Sequence, residues 1–263
     1  MGNRKKIIMG KLYKIKRRII KYLSKEVIEN SNQKVDSRTA DFTEFENSVI
    51  DQVRNYTMTS PERIVSLIHA VEYIATNNIE GDIVECGVWK GGSIGTCMLT
   101  LNKLKKTNIK IWLYDTFEGM NEPTDFDLDI NGHLASDRME VEDVETSRLW
   151  AKAELDNVKE NVSRYNYPSE NVDFIKGMVE ETLLSNKLPE KISLLRLDTD
   201  WYESTKMELE VLYPKLVSGG VLIIDDYGHW DGCKRAVDEY FKSLDFKPFL
   251  SRIDYTGRIL IKP

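Results

Sequence analysis

The chain has only three cysteines among its 263 residues, Cys86, Cys97 and Cys233. Their count is odd and their spacing fits no metal-ligand pattern, so the sequence offers neither a disulfide framework nor a cysteine metal site. A reducing compartment is expected. No run of about 18 apolar residues occurs, which leaves no candidate membrane span. A cleavable signal peptide is lacking too, because lysines break the early apolar stretches, and a cytoplasmic location follows as the expectation. Internal repeats and low-complexity tracts are absent.

Acidic residues are missing from one region. Residues 1–25 hold ten lysines and arginines and no acid, so the net charge of −6 for the whole chain becomes −16 for the rest. So acidic a body argues against nucleic acid as a partner. The basic segment also carries Ile7, Ile8, Leu12, Ile15, Ile19, Ile20 and Leu23 near helical spacing. It reads as a basic amphipathic helix that could lie on an anionic membrane surface or pack on a partner subunit of a homo-oligomer. The plainer reading is an N-terminal helix whose lysines face water. Residues 1–58 are expected to form this extension and a polar linker, with one α/β domain over 59–263.

Thr59-Ser60-Pro61-Glu62 looks like a helix start, with a capping hydroxyl and a first-turn proline, and Ile64, Leu67, Ile68, Val71 and Ile74 continue it as an apolar stripe. Short apolar runs then alternate with helical patterns. They are Ile83-Val84, Ile111–Tyr114, Val172–Ile175, Ile192–Leu197 and Val221–Ile224. This alternation predicts a mainly parallel sheet covered by helices on both faces. Phe246–Leu250 and Arg258–Ile261, joined around Thr256-Gly257, read as a closing hairpin. The acidic stretch 118–161 is long for a connection and is expected to be a mobile lid over the site.

Ile83-Val84-Glu85-Cys86-Gly87-Val88-Trp89-Lys90-Gly91-Gly92-Ser93 is a strand running through a glycine-rich turn into a helix. Glycines let backbone approach a ligand, and a helix N-terminus favours carboxylate or phosphate. The spacing is not the dinucleotide G-x-G-x-x-G, and Glu85 suits a cationic amine better than a pyrophosphate. S-adenosylmethionine offers an ammonium, a carboxylate and a ribose diol. Asp115, closing the next strand, is placed for the diol. A structural turn is the alternative for the glycines alone; the added Asp115 favours cofactor binding.

Two strand ends bring further acids, Leu197-Asp198-Thr199-Asp200-Trp201 and Ile224-Asp225-Asp226-Tyr227. Carboxyl ends of adjacent parallel strands converge where ligands bind. Acids crowded there repel unless a cation neutralises them, and oxygen ligands suit Mg²⁺, or less specifically Ca²⁺ or Mn²⁺. Helix capping and pairing with Lys or Arg are the alternatives. In an extended segment Asp198 and Asp200 would point to the same side.

These stretches resemble the macrocin-type (TylF-like) O-methyltransferases, which methylate sugar hydroxyls. The resemblance covers roughly residues 62–241. It rests on Val84–Gly92, Asp115-Thr116-Phe117-Glu118-Gly119, Leu195–Thr205, Leu212–Gly220, Asp225-Asp226-Tyr227 and Gly232–Asp238. It implies a class I methyltransferase, Rossmann-like fold with a mostly parallel seven-stranded sheet. It further implies that Asp198, Asp225 and Asp226 hold Mg²⁺ and that Asp200 is the general base, with Asp198 beside it. Glu85, Gly87, Val88, Gly91, Ser93, Asp115 and Thr116 would contact S-adenosylmethionine, as would Asp198, and the Gly177-Met178-Val179 turn would flank adenine. Thr199 and Trp201 stand where the family pattern has Gly and Leu, and the basic N-terminal segment has no evident counterpart. The expected reaction is metal-assisted methylation of a hydroxyl on a small, sugar-containing substrate, with His133 and His229 as further candidates. A metal-dependent glycosyltransferase reading Asp198-Thr199-Asp200 as its D-x-D is the alternative. A non-enzymatic binding module would have lost some of these acids.

Overall fold

Apolar runs too short for helices become strands when neighbours cover both their faces. In the computed structural model, which describes residues 39–185 and 187–263, the runs form β1 (Asp82–Cys86), β2 (Ile111–Asp115), β3 (Val172–Lys176), β4 (Ile192–Leu197) and β5 (Leu216–Ile224). They pair in parallel, and the antiparallel β6 (Ser251–Arg252) and β7 (Arg258–Ile261) complete one seven-stranded sheet ordered β3-β2-β1-β4-β5-β7-β6. β4 is buried along its whole length, whereas β3 at the edge is only half-buried. The basic amphipathic helix expected near the N-terminus lies outside the described residues.

Helices pack on both faces. On one lie α1 (Glu44–Val53), α2 (Pro61–Thr76), α3 (Gly92–Leu104) and α5 (Leu155–Ser163). On the other lie the short α4 (Ala135–Val141) and α6 (Val179–Thr182) with α7 (Tyr202–Leu212) and α8 (Asp231–Lys242). Strand side chains alternate between the two cores: Ile111, Leu113, Val221 and Ile223 join the first, and Trp112, Tyr114, Leu222 and Ile224 the second. α2 starts as the sequence predicts, with the Ser60 hydroxyl accepting from the Arg63 N–H at 3.2 Å and Pro61 in the first turn.

Two expectations need correction. The compact unit begins at Phe42 rather than residue 59, because α1 is packed into it: Val49 and Val53 are fully buried, and Thr43 and Glu46 form a reciprocal capping box. The first arm of the closing hairpin falls on Ser251–Arg252, while Phe246–Leu250 forms no strand and leaves Phe249 exposed. The acidic insert is folded onto the body. Asp127, fully buried, accepts from the Tyr202 N–H at 2.8 Å at the start of α7, Asp129 bridges to Trp230, and the last residues of the insert are the crossover helix α5. No helix among the described residues is long and apolar enough to cross a membrane.

If α1 belongs to the core, Val49→Ala should lower unfolding free energy by about 1–3 kcal/mol, the range for truncating a buried aliphatic side chain. Urea denaturation measures it, and a change within about 0.5 kcal/mol would place α1 outside the cooperative unit.

Candidate active site

The sheet order reverses between β1 and β4, and ligands in such folds bind beyond the carboxyl ends of the strands flanking that point. Here the backbone ladder runs one rung past each strand. Gly87 N–H donates to Tyr114 O, Asp198 N–H to Cys86 O and Asp225 N–H to Leu197 O, each at 2.9 Å, and Gly177 N–H donates to Asp115 O at 3.0 Å. Residues expected to carry function thus begin where regular pairing ends.

A cleft of about 710 Å³ opens beside this edge, lined by Gly87, Asp115, Thr116, Gly177, Met178, Val179, Asp198 and Asp200. Gly87 has φ +82°, and a Cβ there would stand 2.0 Å from the Asp198 carbonyl oxygen, so no other residue fits. Asp115 is fixed from several sides: one carboxylate oxygen accepts from the Val88 and Trp89 N–H groups at 2.6 and 3.0 Å, the other from the Phe117 N–H at 2.6 Å. It therefore ties the first turn to the second while facing the cleft. Gly91 adopts φ +86° before α3, against Val162; Val88 and Gly91 on the turn and Ser93 at the start of α3 are not part of this cleft's lining. Glu85 is buried beneath, with Oε2 facing no donor. Glu85 lines neither this cleft nor the one adjoining it, so of the two acids expected to meet the cofactor's amine and diol only Asp115 walls this one.

Across the β1–β4 register Glu85 stands opposite Arg196, and both project toward the α2–α3 face. Arg196 is almost wholly buried and binds three carboxylates, Glu85 Oε1 at 2.7 Å, Asp198 Oδ2 at 2.8 Å and Asp225 Oδ1 at 2.7 Å. Arg63 of α2 closes on the second oxygen of Asp225 and reaches Asp254 at 3.0 Å. Three acids around one guanidinium leave excess negative charge in a dry place. Burial pushes Glu85 up to about 7 despite Arg196, and burial with Asp225 and Asp226 holds Asp198 well above the usual carboxylate range.

Asp198, Asp200 and Asp226 bring one carboxylate oxygen each within 4.8 Å of one another. Asp200 and Asp226 are close enough to share a proton; burial pushes Asp200 up to about 7, and Asp226 lies well above the carboxylate range. Asp226 Oδ2 is buried with no donor facing it. The expected grouping of Asp198, Asp225 and Asp226 is thus altered. Both oxygens of Asp225 are engaged by arginines, and Asp200 takes its place in the cluster. The reason is local backbone: Asp200 has φ +68°, so the segment is not extended and its side chain turns toward Asp226.

A second cleft, of about 1100 Å³ up to its mouth, adjoins the first and shares Met58, Trp89, Arg148, Asp198 and Asp200 with it; Val88, Ser93, Asp225, Asp226 and His229 also line it. His229 pairs with the Tyr255 hydroxyl at 3.3 Å, and burial holds its imidazole below the ordinary value. His133 lies outside both linings, 68% exposed and 3.5 Å from Asp129. Sequence reasoning missed Arg63, Arg148 and Arg196. A charge inside the apolar run Ile192–Leu197 was the available signal for Arg196.

The sequence profile described as macrocin-O-methyltransferase (TylF) matches residues 5–262. The chain belongs to the macrocin O-methyltransferase family. The match reaches well beyond residues 62–241 and takes in most of the basic N-terminal segment. Among curated relatives, a demethyldecarbamoylnovobiocin O-methyltransferase of Streptomyces niveus is 33% identical over 205 residues, 77% of this chain and 74% of its own. A tetracenomycin-type 4'-O-methyltransferase of Streptomyces olivaceus, acting on a dimethoxy-rhamnosyl compound, is 34% identical over 202 residues with the same coverage. The solved structure of the O-methyltransferase NovP superposes with a TM-score of 0.68 at 30% identity, covering 79% of this chain and 82% of that one. Membership makes the chain an S-adenosylmethionine-dependent O-methyltransferase with a class I, Rossmann-like fold. The glycosyltransferase alternative finds no support in these relatives or in the sheet order.

The raised carboxyls set a sign for this family member's pH dependence. Between the ordinary 4.5 of a glutamate and about 7, folded Glu85 keeps a proton that the unfolded chain has lost. Unfolding free energy should therefore fall as pH rises through that window. Asp200 acts in the same sense; Glu46 and Asp254, held low, act below it. His229, also held low, works against the trend below its ordinary 6.5, as a single group against several raised carboxyls. Melting temperatures of the ligand-free protein from pH 4.5 to 7.5 should decline, and Glu85→Gln should flatten the slope. An unchanged slope in the variant would mean that Glu85 is ionised throughout.

Proposed function

We propose that the chain transfers the methyl group of S-adenosylmethionine to a hydroxyl of a small sugar-bearing molecule, assisted by a divalent cation such as Mg²⁺. The observation that carries the reading is the Asp198–Asp200–Asp226 cluster at the seam of the two clefts, since Asp198 and Asp200 line both. The cofactor would occupy the first cleft and the acceptor the second. The relatives' acceptors, sugar-bearing natural products by name, support the sugar class.

When bound, S-adenosylmethionine supplies an electrophilic sulfonium methyl. A divalent cation would supply Lewis acidity that favours the alkoxide form of a hydroxyl, which is otherwise protonated at neutral pH. Asp198 and Asp226 are the residues to hold it; oxygen donors and a buried lone pair without a donor suit a hard cation. Asp200, in the same cluster and lining both clefts, is placed to take the acceptor's proton. Asp225 positions rather than ligates, holding Arg196 and Arg63 in place. Gly87, Asp115 and the Gly177-Met178-Val179 turn shape the cofactor cleft, and placing the two reactants face to face supplies most of the rate gain.

Two measurements separate the roles. Chelation by EDTA should abolish turnover and Mg²⁺ should restore it; full activity in excess chelator would remove the cation from this account. Asp226→Asn and Asp198→Asn should weaken Mn²⁺ binding in titration calorimetry and be partly rescued by added Mg²⁺. Asp200→Asn should keep cofactor affinity and lose about 10²–10⁴-fold in kcat without metal rescue. Should excess Mg²⁺ restore Asp200→Asn, Asp200 is a ligand and not the base.

A further inference from the structure

The second cleft has cationic lining that methylation of a neutral sugar does not require. Asp198, Asp200, Asp225 and Asp226 line it from the strand ends, yet Arg138 and Arg148 of the insert line it too. Arg63, the third arginine there, is already committed to Asp225 and Asp254. Arg138 of α4 spends one end on Glu142 at 3.1 Å and stands 3.8 Å from Asp129, whereas Arg148 has no hydrogen-bond or ion-pair partner among the described residues. The two arise from one braced unit. The Trp150 indole N–H donates to the carbonyls of Met139 and Glu142 at 3.3 and 3.2 Å, tying the Arg148 loop to the end of α4. His229 and Tyr255 add hydrogen-bonding groups to the same cleft. An exposed, unpartnered guanidinium on a braced loop beside a cleft, on a body that repels anions overall, is a local attraction for one anionic group.

We propose that the acceptor is an anionic glycoside whose carboxylate or phosphate is held by Arg148 with Arg138. This rests on reading the second cleft as the acceptor site and sharpens it. The arginines and the acids together orient the acceptor, drawing its anion to Arg148 and leaving a neutral hydroxyl to face Asp200. Arginine suits the task because its planar fork can engage two oxygens of one carboxylate or phosphate at once.

The test uses the full chain saturated with S-adenosylhomocysteine and three probes: methyl α-L-rhamnoside, methyl α-D-galactosiduronate and thymidine diphosphate-rhamnose. Titration calorimetry, run in Mg²⁺ and again in EDTA, should show one or both anionic probes binding at least about tenfold tighter than the neutral one, and their order tells a sugar carboxylate from a phosphate link. Arg148→Ala should lose about 10–100-fold for the anionic probe only, with S-adenosylhomocysteine affinity unchanged, and Arg148→Lys should recover part of the loss. Equal affinity for all three probes, or a preference that vanishes in EDTA, overturns the proposal. So does weakened S-adenosylhomocysteine binding in Arg148→Ala with the probe preference intact, which would assign Arg148 to the cofactor. Methylation of the anionic probes by Arg148→Ala at the rate of the parent chain refutes the anion while leaving sugar O-methylation standing. If none of the probes binds or is methylated, the acceptor reading fails with it.

Discussion

One buried guanidinium organises the catalytic edge of this molecule. Arg196 lies in the middle strand of the sheet and reaches the last residues of β1, the end of its own strand and the end of β5 through Glu85, Asp198 and Asp225. Removing it would leave buried Glu85 without its cation and Asp198 and Asp225 with less compensation, a larger disturbance than losing an exposed pair. Arg63 extends the same clasp to α2 and to Asp254 in the closing hairpin. Cofactor turn, carboxylate cluster and C-terminal hairpin are therefore one electrostatic unit.

Much of the fold was legible because its signals are local. Ile111–Tyr114 and Ile192–Leu197 are apolar runs too short for helices, and Ser60-Pro61 is a helix start that needs no tertiary help. α1 escaped notice because ten residues with so much polar surface read as linker; its two buried valines gain meaning only once α2 and α3 are in place to cover them. Phe246–Leu250 failed in the opposite sense, apolar enough for a strand but with no partner edge at that point of the chain.

The site divides in the same way. That Asp115, Asp198, Asp225 and Asp226 gather at one edge follows from strand ends, which sequence shows directly. Which oxygens face which cations depends on inter-strand register and on one backbone dihedral, and neither is written locally. Glu85 meets Arg196 because β1 and β4 pair in that register, and Asp200 rather than Asp225 joins the cluster because it turns left-handed. A family resemblance can hand over a residue's expected role, but the pairing that enables the role is a property of the whole sheet.

Left-handed backbone has a further consequence. Trp89, Phe117 and Asp200 all take positive φ, at 47°, 52° and 68°, and all three flank the edge where the ligands would sit. Side chains with a Cβ are strained there, on the order of 1–3 kcal/mol each, and aromatic ones more than most. Glycine at Trp89 or Asp200 would relax the loop, whereas Phe117 is buried in the core and would lose more by truncation than the dihedral returns. Selection for thermal robustness and selection for a shaped site thus pull in opposite directions at the two strained residues that line both clefts.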